Sequence, residues 1–153
     1  MLSIRRIIHP TDFSAASRGA LILALKLAKQ NRAKLMVIHV LPPPTPIYEV
    51  ESAERPRAEA QLSALMKKIR WAKVKTRRLL VKSNTGVAKH IVKSARILKA
   101  DLIVMGTHGR TGLAKFFTGS VAAMVIAEAY CPVLVVRGRS RTTSSSRPAV
   151  ALH

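Results

Sequence analysis

The stretch DLIVMGTHGRTGLAKFFTGS, residues 101–120, joins an apolar run to a glycine-rich loop and then to a helix start. Leu102, Ile103, Val104 and Met105 show no polar alternation, the pattern of a strand buried on both faces. Such strands belong to parallel sheets whose two faces are covered by helices. Of the chain's seven glycines, four (Gly106, Gly109, Gly112 and Gly119) fall in the loop that follows. Backbone freedom is therefore concentrated at one strand end, and the flanking sequence says what kind of sheet that end belongs to.

Upstream, SIRRIIHP (3–10) reads as a short strand closed by His9 and Pro10. Thr11, Asp12 and Ser14 are turn and cap formers ahead of the helical stretch ALILALKLAKQ (20–30). AKLMVIHV (33–40) is a second apolar strand, ended by LPPPTP (41–46), which starts a loop of about ten residues. A helix follows over roughly 50–69, with Ala58, Leu62, Leu65 and Met66 on one face. KVKTRRLLVK (73–82) reads as a charge-dense third strand, after which Thr85 can cap a helix over about 86–98. Beyond the glycine loop come a helix over 119–130 and a fifth strand in CPVLVVR (131–137). The order β-α-β-α-β-α-β-α-β predicts an α/β fold: a parallel sheet with helices on both faces and right-handed crossovers. In such folds ligands sit beyond the carboxyl ends of the strands, where the strand order reverses. Asp12 and the glycine loop, at the ends of strands one and four, share that rim. One domain over 1–137 is expected, followed by the polar tail GRSRTTSSSRPAVALH (138–153), whose composition predicts disorder.

The bulk properties agree. A chain of 153 residues, 48% hydrophobic, can bury one sizeable core. Its apolar runs are too short to cross a bilayer, so no membrane insertion is expected. The start MLSIRRIIHPTD lacks a signal core, and the lone Cys131 reads as a small buried hydrophobe, so a cytoplasmic location is expected. The charge stands out. Twenty-seven Lys and Arg against seven Asp and Glu leave +20, and no carboxylate lies between Glu59 and Asp101. That field attracts polyanions without specifying a fold.

A glycine loop running into a helix N-terminus offers bare N–H groups and the positive end of a helix dipole, the ingredients of a phosphate site. Gly119 would let backbone approach a phosphate, Ser120 adds a hydroxyl, and Arg110 and Lys115 add charge. The spacing is neither G-x-x-x-x-G-K-[ST] nor G-x-G-x-x-G after the first strand. A plain turn needing positive φ, with Ser120 as a helix cap, would explain the same residues.

The spacing Gly106-x2-Gly109-x9-Gly119-Ser120 resembles the nucleotide-binding motif of the universal stress protein family. The resemblance extends to HPTDFSAAS (9–17), AKLMVIHV, ADLIVMGTHGRTGLAKFFTGSVA (100–122) and CPVLVV, and so spans about residues 3–137. One branch of that family keeps these glycines and binds ATP, and this chain resembles that branch. The resemblance implies a Rossmann-like sheet of strand order 3-2-1-4-5, Asp12 against the nucleotide and backbone near Val40 against the adenine. It gives ribose and phosphates to Gly106, Gly109, Gly119 and Ser120. By position it adds Pro10, Thr11, Met105, His108, Arg110 and Val121. It also implies a homodimer paired through Val133–Val136. The chain departs from the family in having few carboxylates around its third strand and third helix.

Other roles compete for some of these residues. Asp12 suits the cap of the first helix as well as a ligand contact, and His9 and His39 read as satisfied structural histidines. No His or Cys cluster has metal-ligand spacing, so no protein-built metal site is expected, whereas Mg²⁺ can arrive with ATP. Hydrolysis needs a residue to orient water, and neither Glu128 nor Asp12 suits that task. The reading is an ATP-binding stress-response or signalling module with slow or no turnover, which presents a surface to a protein partner. The alternative is a basic nucleic-acid-associated protein with the nucleotide site secondary. Against it, Phe13, Tyr48, Trp71, Phe116, Phe117 and Tyr130 do not interleave with the basic stretches as a stacking surface requires. The charge then reads as a solvated face with weak, non-specific polyanion binding.

Overall fold

The computed structural model describes residues 3–43, 51–107 and 120–138. Five strands, β1 (Arg6–Pro10), β2 (Lys34–Leu41), β3 (Thr76–Lys82), β4 (Leu102–Gly106) and β5 (Val133–Val136), form one sheet. Every pairing is parallel and the order is β3-β2-β1-β4-β5, as expected. Four helices connect them: α1 (Ala15–Asn31), α2 (Glu51–Lys68), α3 (Val87–Ile97) and α4 (Ser120–Glu128), with a 3₁₀ turn at Arg70–Ala72. This is a single Rossmann-like α/β domain. Neither the 44–50 segment of the proline loop nor the 139–153 tail lies among the described residues.

The lack of alternation in the strands has a direct cause. Ile7, Val37 and Val104 pack with Leu21, Leu25 and Leu62 of α1 and α2 on one face. Their chain neighbours Ile8, Ile38 and Ile103 pack with Ile91 and Val125 of α3 and α4 on the other. Both sides of each inner strand are therefore core.

Two helix starts differ from the sequence expectation. Helix α1 begins at Ala15, and its N-cap is Ser14, whose Oγ accepts from the Ser17 amide at 3.2 Å. Asp12 is not the cap: its Oδ1 accepts from the Ser14 amide at 2.9 Å, in the turn just before the helix. Helix α3 is entered through Gly86, whose φ of 107° suits glycine alone, and Thr85 does not cap it. The hydroxyl that organises this entry is the buried Ser83 Oγ, which accepts from the amides of Gly86 at 2.8 Å and Thr85 at 3.3 Å. Strand β3 starts at Thr76 rather than Lys73, because Lys73 closes the 3₁₀ turn in a left-handed conformation. At the far end of α3, Tyr130 Oη bonds the Ala95 and Ala100 carbonyls at 2.7 and 2.8 Å, which fixes the turn into β4. Cys131 is half-buried, and burial pushes its thiol up from the usual range, away from a reactive thiolate.

Candidate functional site

The strand order reverses between β1 and β4, so their carboxyl ends diverge and leave a crevice. The last residues of β1 shape it. Pairing of Ile8 with Ile103, continued along a parallel ladder, would turn the nitrogen of residue 10 toward the Val104 carbonyl. Residue 10 is proline and has no N–H to give. His9 replaces it: Nδ1 donates to the Val104 carbonyl at 2.9 Å. The imidazole is 0% exposed and its Nε2 has no hydrogen-bond partner. Burial lowers the His9 pKa to about 4, against the opposing pull of the Val104 carbonyl and of Asp12. His9 is thus a neutral ring at neutral pH, and half-satisfied rather than satisfied as the sequence suggested.

Thr11 ties the following turn together. Its amide donates to the Ile38 carbonyl at 2.8 Å, and its own carbonyl pairs with His39 Nδ1 at 2.7 Å. Its Oγ1 receives the Phe13 amide at 3.1 Å and the Ser17 hydroxyl at 2.8 Å. Thr11 is buried, so this hydroxyl organises protein rather than solvent. Phe13 adopts φ 63°, a strained conformation for a bulky residue, with its ring 4.6 Å from that of His39. The half-buried Asp12 sits in this braced turn.

Val40 contributes backbone. Lys34 N donates to the Arg5 carbonyl and Ile38 O accepts from Thr11 N, so even-numbered residues of β2 turn their polar groups toward β1. Pairing with β1 ends at Pro10 and Ile38. Val40, two residues further, directs its N–H and C=O into the space beyond, while its side chain is buried against α3.

Met105 is buried in the core, and Gly106 ends β4 beneath the start of α1. A Cβ there would lie 2.8 Å from both the carbonyl carbon and oxygen of Ala16 and 3.0 Å from Ser17 N. The motif assigns this glycine to a ligand, and the fold itself already requires it. Ser120 opens α4, exposed, and Val121 is half-buried behind it. His108, Gly109, Arg110 and Gly119 lie outside the described residues. The fold therefore brings Pro10, Thr11, Asp12, Val40, Met105 and Gly106 to one end of the sheet. Sequence reasoning missed the bracing role of Phe13, Ser17 and His39. The only hint was their closeness to Asp12 and Val40. Among the described residues no group of three His, Cys, Asp or Glu could hold a metal ion.

These features define a doubly wound α/β domain with its ligand crevice at the strand reversal. The chain belongs to the universal stress protein family, whose profile matches residues 3–137. It is 39% identical over 141 residues to a universal stress protein of Methanocaldococcus jannaschii, covering 87% of this chain and 82% of that one. Among solved structures, it resembles a universal stress protein in complex with cAMP (26% identity, TM-score 0.68, 90% of this chain and 99% of the other). It likewise resembles the universal stress protein of Archaeoglobus fulgidus in complex with dAMP (25% identity, TM-score 0.66, 88% and 98%).

Proposed function

We propose that this protein is an ATP-binding stress-response or signalling module, which holds its nucleotide in the crevice with slow or no turnover. The observation that carries this reading is the backbone edge of Val40. An N–H and a C=O directed beyond the end of β1 match an adenine edge, which offers one acceptor and one donor side by side. The cAMP and dAMP complexes of the two structural relatives support adenine as the base. Asp12 has spent one carboxylate oxygen on the Ser14 amide, and the second suits a ribose hydroxyl. Gly106, Gly109, Gly119 and Ser120 would carry ribose and phosphates, with Arg110 and His108 beside them and Mg²⁺ arriving with the ATP. Pro10, Thr11, Met105 and Val121 would form the walls. No membrane crossing is needed, since no helix among the described residues is long and apolar enough for one. A cytoplasmic homodimer joined along Val133–Val136, acting on a protein partner, completes the reading.

Calorimetry with ATP and GTP tests it. Guanine reverses the donor–acceptor order along the edge that Val40 would meet, so ATP should bind at least tenfold tighter, about 1.4 kcal/mol. Mass spectrometry of whatever nucleotide copurifies should find adenine. Equal affinities for ATP and GTP would remove the reading.

A further inference from the structure

The opposite end of the sheet carries a second pattern. Arg32, Lys73 and Lys99 hold left-handed backbone, with φ of 54°, 53° and 52°. Arg32 closes α1, Lys73 closes the 3₁₀ turn, and Lys99 follows the end of α3. Each sits between a helical element and the next strand, where glycine is the usual residue because any side chain is strained. All three are cations. A helix dipole favours positive charge at its C-terminus, yet a lysine one position away meets that need without strain.

Strand register sets these cations in a row with others. Leu35 N donates to the Lys75 carbonyl at 2.9 Å, Lys34 N to that of Arg5 at 2.8 Å, and Asp101 N to that of Arg6 at 2.8 Å. The starts of β3, β2, β1 and β4 therefore lie side by side: Lys75, Lys34 and the Arg5–Arg6 pair lead the first three, and Asp101 leads β4, with Lys99 in the turn before it. Arg6 Nη1 reaches the Lys99 carbonyl at 3.3 Å, which ties the last two together. Arg5, Arg6, Lys34 and Lys75 are exposed, as are Arg32, Lys73 and Lys99. One carboxylate sits among them, Asp101, and its Oδ2 accepts the amides of both Arg5 and Arg6 at 2.8 Å. Glu128, at the end of α4, bounds the row on the β5 side. Beside Lys73, in the 3₁₀ turn, the chain's single tryptophan, Trp71, stands 72% exposed.

We propose that this amino-terminal rim is a docking surface for single-stranded nucleic acid, its cations following the phosphates and Trp71 stacking on an unpaired base. The pairing of a charged track with an exposed aromatic is what single strands require. A duplex keeps its bases stacked and would leave Trp71 unused. A bilayer would want an apolar cluster, whereas Trp71 follows Arg70 and stands two residues before Lys73. The aromatic side chains taken together do not interleave with the basic stretches, but this one does. The rim stands apart from the nucleotide crevice and does not depend on it.

Because Trp71 is the sole tryptophan, its fluorescence reports this rim alone. Titration with oligouridine, which carries no adenine, should quench it, and the binding constant should fall steeply with salt. The triple variant Arg32→Gly, Lys73→Gly, Lys99→Gly should melt at or above the wild-type temperature, since glycine suits all three backbones. Its log–log salt slope should shrink by about 2, at roughly 0.7 for each single-strand phosphate that is no longer neutralised. The variant Lys26→Gln, Lys89→Gln, Lys93→Gln removes equal charge from exposed helix positions away from the rim and should keep the wild-type slope. Equal losses in the two variants would reduce the effect to net charge and overturn the proposal. So would oligouridine binding that leaves Trp71 emission unchanged. A blue shift on phosphatidylserine vesicles, without a response to oligouridine, would overturn it in favour of a lipid surface.

Discussion

Lowering the pH from 7 to 5 should destabilise this fold through His9. The ring's ordinary pKa of 6.5 falls to about 4 inside the protein, because burial penalises the imidazolium. Nδ1 already donates to the Val104 carbonyl, so an added proton must go on Nε2, which has no acceptor. As the pH falls, the unfolded chain therefore takes up a proton near 6.5 while the folded chain stays neutral. Stability present in full above 6.5 is lost progressively toward 4. At 1.36 kcal/mol per unit, the interval from 6.5 down to 5 amounts to about 2 kcal/mol. Urea denaturation at the two pH values measures it. To isolate the contribution of His9, the comparison is with His9→Asn, in which Nδ2 can take the place of Nδ1. That variant is less stable at pH 7, because the rest of the ring is missing. Its additional loss on going to pH 5 should be smaller than that of the wild type by about 2 kcal/mol. Equal losses in the two proteins would mean that His9 finds an acceptor or solvent, and the argument from its orphaned Nε2 would fail.

Two further predictions rest on the backbone. Gly106→Ala sets a Cβ 2.8 Å from the main chain of Ala16, which cannot swing aside as a side chain would. Urea denaturation should show a loss of about 1–3 kcal/mol, and an unchanged midpoint would show that the start of α1 yields freely. At the outer edge, Ile103 N and Thr107 N bond the Pro132 and Val136 carbonyls, so even-numbered residues of β5 face β4 and Val135 faces outward. If β5 pairs with a second copy, Val135→Pro should shift light scattering toward monomer, whereas Leu134→Pro should lower the melting temperature by breaking the β4–β5 ladder. A Val135→Pro protein that remains a full dimer would place the interface elsewhere.

The layered fold is legible in the sequence because burial on two faces writes itself into composition. Leu102 to Met105 are apolar since each neighbour meets a different helix pair. Strand order is not legible from periodicity and comes with the family resemblance. The caps escape a sequence reading for one reason. Asp12, Ser14, Ser83 and Thr85 all have the chemistry of a cap, and the backbone angle, which a one-dimensional pattern lacks, selects among them. The start of α1 is hidden because Ser17, Arg18 and Gly19 look like a turn, yet Ser17 is buried and gives its hydroxyl to Thr11. The amino-terminal row of cations is hidden for a related cause. Arg5, Lys34 and Lys75 are far apart in sequence and become neighbours only through register.

The two ends of the sheet also use strain differently. Phe13, at the carboxyl end, is left-handed with its ring against His39, so its strain is held by packing and fixes the turn carrying Asp12. Arg32, Lys73 and Lys99 hold theirs in the open, where no core packing requires a long side chain. Distance keeps the two ends apart electrostatically. Strand β2, with eight residues at about 3.3 Å each, separates them by about 26 Å. The Debye length at physiological salt is about 8 Å, so anions at one end scarcely feel cations at the other. Nucleotide in the crevice and polyanion on the rim should then bind without competing. ATP at a concentration that saturates the crevice should leave the Trp71 response to oligouridine intact. Stoichiometric displacement would mean that the two ligands share one site, and the division of labour between the sheet's ends would be wrong.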